Sequence, residues 1–126
     1  MKYTIICDNK DFVTLYKRGK YIASKYCVVY FRKNNKGINR MGISTGKKAG
    51  NAVIRSRCRR IIRQAYIENI ANFPLGYDII VYARAGCGDA KSTHISHFFK
   101  TKAIPFMLKS VIKQPYKPKT NSIKNR

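Results

Sequence analysis

The sequence predicts an α/β fold of helices laid on a small sheet, and three observations carry that prediction. Strict alternation from Tyr26 to Arg32 puts Tyr26, Val28, Tyr30 and Arg32 on one side and Cys27, Val29 and Phe31 on the other, the period of a strand with one wet face. The run Tyr77 to Ala83, YDIIVYA, is apolar and branched enough for a buried strand. Between them, Ile54, Cys58, Ile61, Ile62 and Ala65 gather within roughly a third of a helical wheel, the stripe of an amphipathic helix. A strand, helix, strand order predicts that Tyr77 to Ala83 runs parallel to Arg40 to Thr45 across that helix. At 126 residues the chain suits one domain that can bury a core without disulfides or metal.

Taken in order, Asp8 or Asn9 can cap a first helix running to about Lys17, with Phe12 and Tyr16 on one face and Gly19 as its left-handed terminator. A strand before Tyr26 is weakly signalled. After the Tyr26 strand, the polar run Lys33 to Asn39 reads as a turn, so Arg40 to Thr45 is expected to return antiparallel. Gly46 and Gly50 flank Lys47 and Lys48 in a loop that leads into a helix starting near Asn51. That helix fades at Asn69 to Asn72, because Pro74 biases Phe73 away from helical geometry. Beyond Tyr77 to Ala83 and a glycine-bearing loop, Ser92 or Thr93 can cap a last helix towards Ile112, packing through Phe98, Phe99, Ala103, Phe106, Met107 and Val111, with a kink expected at Pro105. The domain is expected over residues 1–113. The last 13 residues, QPYKPKTNSIKNR over 114–126, mix proline and charge without periodicity and read as a loose basic tail.

Charge indicates the partner. With 27 lysines and arginines against five acids the formal charge is +22, yet 44% hydrophobic content and 15 aromatics exclude a disordered basic tail of histone type. Seven of the cations fall in KKAGNAVIRSRCRRIIR, Lys47 to Arg63, with no acid among them. Arg55, Arg59, Arg60 and Arg63 fan over the side opposite the apolar stripe and Arg57 stands at its border. Such a cluster repels itself unless a polyanion neutralises it, and a phosphate backbone is the natural partner. The lysine loop, exposed amides and positive helix end beside it form a seat for a phosphate. No run approaches the roughly 18 apolar residues of a membrane span, and MKYTIICDN does not read as a signal peptide, so the expected location is the cytoplasm, away from membranes. Cys7, Cys27, Cys58 and Cys87 have no zinc-site spacing and read as reduced thiols used as small hydrophobes.

At this point the chain resembles the protein subunits of bacterial ribonuclease P, the RNA-based enzyme that trims 5′ leaders from precursor tRNA. The resemblance rests first on NRMGISTGKKAGNAVIRSRCRRIIRQAY, Asn39 to Tyr66, and then on KDFVTLYKRGK, Lys10 to Lys20, and YDIIVYARAG, Tyr77 to Gly86. It implies a two-layer α/β sandwich: a small mixed, mostly antiparallel sheet with one parallel pair, about three helices, and a left-handed βαβ crossover through the arginine helix. Composition and pattern alone would have predicted the common right-handed connection. It also implies two RNA surfaces. Phe12, Tyr16 and Tyr30 would line a cleft for the leader, while Lys47, Lys48, Asn51, Arg55, Arg57, Arg59, Arg60 and Arg63 would face the catalytic RNA. The implied partners are that RNA and the precursor tRNA leader, with no obligatory protein partner. The chain departs from the family at Ser56, where an asparagine between two arginines is usual, at Ser44 to Gly46, where a valine and a second serine are frequent, and at Tyr16, where phenylalanine is frequent.

These residue types suit the task, because a leader of no fixed sequence must be held by what every nucleotide offers, phosphates and base faces. Stacking on a ring contributes about 1–3 kcal/mol per base. Arginine's planar fork grips phosphate better than lysine's point charge. For hydrolysis the chain offers only Asp8, Asp11, Glu68, Asp78 and Asp89 as acids, with no convincing metal-site pair, and His94 and His97 read as surface or packing residues. No protein catalytic residue and no protein-held metal is therefore expected. Magnesium held by the RNA subunit and substrate would supply the hydrolytic chemistry. Two other readings compete: a structural RNA-binding protein of ribosomal type, and a module placing the arginine helix in a DNA groove.

Overall fold

The computed structural model describes residues 4–6 and 9–113, so the expected tail over 114–126, Cys7 and the candidate cap Asp8 lie outside the described residues, as does the side chain of Val111. The elements are β1 (Thr4–Ile5), α1 (Asn9–Arg18), β2 (Lys20–Ala23), β3 (Cys27–Lys33), β4 (Arg40–Thr45), α2 (Ala52–Asn69), β5 (Tyr77–Ala83), α3 (Ser92–Phe98) and α4 (Ile104–Lys113), with short 3₁₀ turns at Lys47–Ala49, Ile70–Asn72 and Cys87–Asp89. They form one five-stranded sheet in the order β1-β4-β5-β3-β2.

The parallel pair foreseen across the arginine helix is present, with β4 running beside β5 from Arg40↔Asp78 to Thr45↔Ala83. The expected return of β4 against β3 is corrected: their directions oppose, but β5 lies between them, paired antiparallel with β3 through Tyr30↔Ile80. The physical reason is burial. Six of the seven residues of β5 are buried, with only Tyr82 half-buried, and such a strand needs a neighbour on each edge as well as cover on both faces. The weakly signalled β2 completes the β3 edge in register Tyr21↔Tyr30, and the two-residue β1 adds a short parallel ladder to β4.

Two apolar clusters lie on opposite faces of this sheet. The larger holds Cys27, Val29, Phe31, Met41, Ile79, Val81 and Ala83 against Cys58, Ile61, Ile62, Ala65 and Tyr66 of α2, Ile95 and Phe98 of α3, Met107 of α4, and Phe99 and Ala103 from the segment that joins α3 to α4. This is the helix-on-sheet sandwich. On the other face α1 lies alone, packing Leu15 on Ile80 and Ile6, with Phe12 and Tyr30 at the margin. Of the predicted stripe, Ile54 is the exception: it remains 37% exposed at the N-terminal end of α2, where a Cβ on Gly50 or Gly88 would approach its side chain to 2.8 or 2.6 Å. It caps a loop and does not enter the core.

Gly19 ends α1, donating from its N–H to Leu15 O at 2.9 Å, but its φ is not positive and the left-handed expectation is corrected. What requires glycine here is closeness, since a Cβ would lie 2.7 Å from Leu15 O and 3.0 Å from Phe31 O. Gly19→Ala is expected to lower stability by about 1–3 kcal/mol, read as a lower midpoint of thermal or urea unfolding. An unchanged midpoint would show that α1 can shift off the sheet freely.

The last helical rod also departs from expectation. Its N-cap is Lys91, not Ser92 or Thr93, and the Lys91 N–H donates to His94 Nδ1 at 3.0 Å. His94 also stacks on Tyr26, with ring centroids 5.8 Å apart. Pro105 lies in the first turn of α4, and a π-helical segment, Phe99–Ala103, stands between α3 and α4. Widening that turn accommodates the hydrogen bond that proline cannot make, so Phe98 and Phe99 still reach the core on one side of it and Met107 on the other.

Candidate nucleic-acid interface

Polar chemistry first fixes where α1 lies. Asp78, buried on the α1 face of β5, accepts from Arg40 Nε at 2.8 Å and Nη2 at 2.6 Å and from Asn34 Nδ2 at 2.9 Å. Arg40 also reaches Asp11 of α1 at 3.3 Å. Burial alone would raise the Asp78 carboxyl, but hydrogen bonds from Arg40 and Asn34 and the cation's charge outweigh it and hold the carboxyl below its ordinary value. Asp78 through Arg40 thus ties the first turn of α1 to the sheet. Beyond that tie the sheet face beside α1 stays only half-covered at Val28, Tyr30, Ser44 and Tyr82, which leaves a cleft along the helix.

Phe12, Tyr16 and Tyr30 meet along this cleft. The Phe12 and Tyr16 rings lie 6.5 Å apart, and Tyr16 meets Tyr30 edge-on at 4.8 Å. Phe12 packs on Gly42, where a Cβ would come within 2.8 Å of its ring, so glycine in β4 sets the depth of the floor. The three rings are not sealed in: Tyr16 is 38% exposed, and Phe12 and Tyr30 are half-buried. Burial raises the Tyr16 phenol above its ordinary pKa, while a hydrogen bond with Ser44 acts the other way. The hydroxyl therefore stays protonated at neutral pH.

Two further tyrosines belong to this surface and were missed in the sequence. Tyr82 lies on the same face of β5, in register with Val28 and Ser44, and its hydroxyl is 3.7 Å from where a Cβ on Gly46 would sit. It carries the cleft up to the lysine loop. Tyr21 of β2 lies 5.7 Å from Tyr30 on its other side. For Tyr82 the alternation of YDIIVYA was the available signal; for Tyr21 the strand itself was too short to be read firmly.

The second predicted group gathers at the start of α2. Lys47 and Lys48 are exposed on their 3₁₀ turn. Asn51 is the N-cap, its Oδ1 accepting from the Ile54 N–H at 3.0 Å, which gives its side chain a structural task as well as a place at the helix start. Gly50, with φ 136°, is a position where a side chain would be strained.

The five arginines do not form one uniform back. Arg60 and Arg63 are exposed, and no hydrogen bond or ion pair engages their side chains among the described residues. Arg55 and Arg59 are half-buried towards β4, and Arg59 donates to Thr45 Oγ1 at 2.8 Å. Arg57 folds along the other flank and donates from Nε to Gly88 O at 2.7 Å and from Nη2 to Ala90 O at 3.4 Å. Arg57 thereby ties α2 to the Cys87–Asp89 turn. Arg57→Gln is expected to destabilise the free protein by about 1 kcal/mol, with Arg63→Gln within about 0.5 kcal/mol of the parent, both measured by urea unfolding. Equal midpoints would mean that the two carbonyl contacts contribute nothing.

Ser56, the departure from the family pattern, lines a shallow apolar hollow of about 530 Å³ with Ala52, Val53, Arg57 and Arg60. Around this surface the described acids are few. Asp11 and Asp78 are held by Arg40, and Glu68 accepts from Gln64 at 3.0 Å. No group of three His, Cys, Asp or Glu side chains is placed to hold a metal among the described residues. Cys27, Cys58 and Cys87 are free and fully buried; burial lifts the Cys27 thiol to about 11 and raises Cys87 as well, helped by its neighbour Cys58, so Cys27 and Cys87 pack as neutral groups. No described helix is long and apolar enough to cross a membrane.

Comparison with known proteins places this geometry in context. The family model described as Ribonuclease P matches residues 2–103. The ribonuclease P protein component of Lachnoclostridium phytofermentans is 44% identical over 89 residues, covering 71% of this chain and 77% of the relative. That of Clostridioides difficile is 43% identical over 93 residues, covering 73% and 82%. Among solved structures, an RNase P protein of Staphylococcus aureus superposes with a TM-score of 0.68 at 34% identity, covering 87% of this chain and 96% of that one. The RNase P protein of Thermotoga maritima gives 0.59 at 26% identity, covering 90% and 94%.

Proposed function

Since this chain belongs to the ribonuclease P protein family and is a tRNA-processing subunit of that ribonucleoprotein endonuclease, we propose that it grips two RNAs with two surfaces. The catalytic RNA meets Lys47, Lys48, Arg55, Arg57, Arg59, Arg60 and Arg63, with Asn51 holding the helix start. The 5′ leader of precursor tRNA lies in the cleft of Phe12, Tyr16 and Tyr30. The observation that carries this reading is the open row of three rings between α1 and the sheet, which a purely structural RNA-binding protein would have no reason to keep accessible. Family membership does not favour the ribosomal-type alternative.

The protein's part in the reaction is positioning. Rings stack on bases of any sequence while the lysine loop and α2 dock the protein on the catalytic RNA, so the scissile bond is presented in a fixed place. Cleavage itself we assign to the RNA subunit, consistent with Asp11 and Asp78 being engaged by Arg40 and Glu68 by Gln64, which leaves Asp89 without a second carboxylate to work with among the described residues. Magnesium held by RNA and substrate supplies activated water when bound. The work belongs in the cytoplasm, where precursor tRNA is made.

The test is reconstitution with the cognate RNA. Protein is expected to raise cleavage of precursor tRNA at low magnesium, and Phe12→Ala or Tyr16→Ala to weaken binding of leader-bearing substrate about 5- to 100-fold while leaving leaderless tRNA unaffected. No stimulation by the intact protein would overturn the function. Stimulation with equal substrate affinity in both variants would remove the cleft from it.

A further inference from the structure

We propose that the single-stranded RNA track continues past Tyr30 and crosses the edge of the sheet onto Tyr21, which supplies one further stacking surface. This rests on the leader reading of the cleft and lengthens it.

The placement follows from register. Tyr21 and Tyr30 are direct cross-strand partners, so their side chains leave the same face of the sheet, the one that α1 only partly covers. Their centroids are 5.7 Å apart with the rings tilted by 36°, and the row Phe12, Tyr16, Tyr30, Tyr21 proceeds in steps of 6.5, 4.8 and 5.7 Å. Phe12 and Tyr21 are its two ends.

Exposure separates Tyr21 from the other three. It is 62% exposed, against 38% for Tyr16, and β2 is the terminal strand of the sheet, so among the described residues no strand covers its outer side. A large aromatic on an open edge is a liability that proteins ordinarily replace with charge. Here charge is present on the same side: Lys17 and Arg18, both exposed, end α1 on the sheet face that Tyr21 shares, while Lys20 alternates to the opposite face with Phe31. An accessible ring flanked by cations is the arrangement that holds single strands without regard to sequence, with base on ring and phosphate on ammonium or guanidinium. A ring that served only to shield Tyr30 would need neither the exposure nor the cations.

The experiment uses the holoenzyme, the full chain assembled with its cognate RNA, and precursor tRNAs whose leaders are shortened one nucleotide at a time. Affinity is measured for the parent, Tyr21→Ala, Tyr21→Leu, Tyr21→Phe and Phe12→Ala. The affinity gained on lengthening the leader is expected to fall about 5- to 100-fold in Tyr21→Ala and Tyr21→Leu, with Tyr21→Phe retaining it, because the ring and not its bulk or hydroxyl is needed. The leader length at which Tyr21→Ala first loses affinity should differ by at least one nucleotide from that for Phe12→Ala. A loss shared equally by all leader lengths, or a leucine variant that behaves like the parent, would overturn the proposal. So would an unaffected Tyr21→Ala beside a defective Phe12→Ala, which leaves the cleft reading standing; no effect in either variant would sink both.

Discussion

Arg60→Gln combined with Arg63→Gln is expected to weaken binding to the catalytic RNA by about a hundred-fold, the scale set by removing two charge-assisted hydrogen bonds to phosphate. These two side chains are exposed and make no hydrogen bond or ion pair among the described residues, so their removal should leave unfolding midpoints nearly unchanged. A second reading comes from salt. Each phosphate neutralised contributes roughly 0.7–0.9 log units of affinity per log unit of salt, so the double variant should flatten the slope by about 1.5. Filter-binding or anisotropy titrations from low to moderate salt measure both quantities. An unchanged slope would show that the outer face of α2 points away from RNA, and the assignment of that surface would fall.

Asp78→Ala should unfold about 10–15 °C below the parent, a loss of about 3 kcal/mol, because it leaves the partly buried Arg40 guanidinium only its longer contact to Asp11 and removes one of the two acceptors of Asn34 Nδ2. The loss also reaches function. Arg40 is the group that links Asp78 to Asp11 on α1, so a slack first turn should let Phe12 move off Gly42 and weaken leader binding as well. The acid response has a defined sign. Asp78 titrates below its ordinary 3.8, so its contribution is complete above that pH and disappears as the pH falls through the lower native value. Asp78→Asn should therefore show a smaller loss of stability between about pH 5 and 2 than the parent does. A parent and variant with parallel acid profiles would refute the coupling.

Much of this molecule is legible in one dimension because the signals involved are local. Tyr26 to Arg32 alternates, and the strand found there buries Cys27, Val29 and Phe31 while its other side stays partly wet. The arginine helix ends within the predicted window because Pro74 and Gly76 act on their immediate neighbours. Phe12 and Tyr16, proposed to hold the leader, share a helix face by spacing alone. Tyr30 joined them only through the family resemblance, since no local rule brings a strand residue to a helix.

What stayed hidden depends on partners distant in sequence. Nothing in Arg40 to Thr45 says that β5, more than 30 residues later, will separate it from β3. Arg57 and Arg63 are the same residue type exposed on one helix, yet one ties itself to the carbonyls of Gly88 and Ala90 and the other has no such partner among the described residues. Gly19 is required by the approach of Phe31 O across the sheet and not by its own φ. Tyr21 gains its proposed meaning only from lying beside Tyr30.

Periodicity, charge and turn chemistry act over a few residues, and they alone establish a basic α/β fold with a cationic helix and a strand that is wet on one face. Strand order, the depth of the aromatic cleft and the division of the arginines between internal ties and open surface arise in packing. Those features are set by which buried groups must find hydrogen-bond partners and cover once the chain has closed on itself, and such pairings join residues that no local pattern relates.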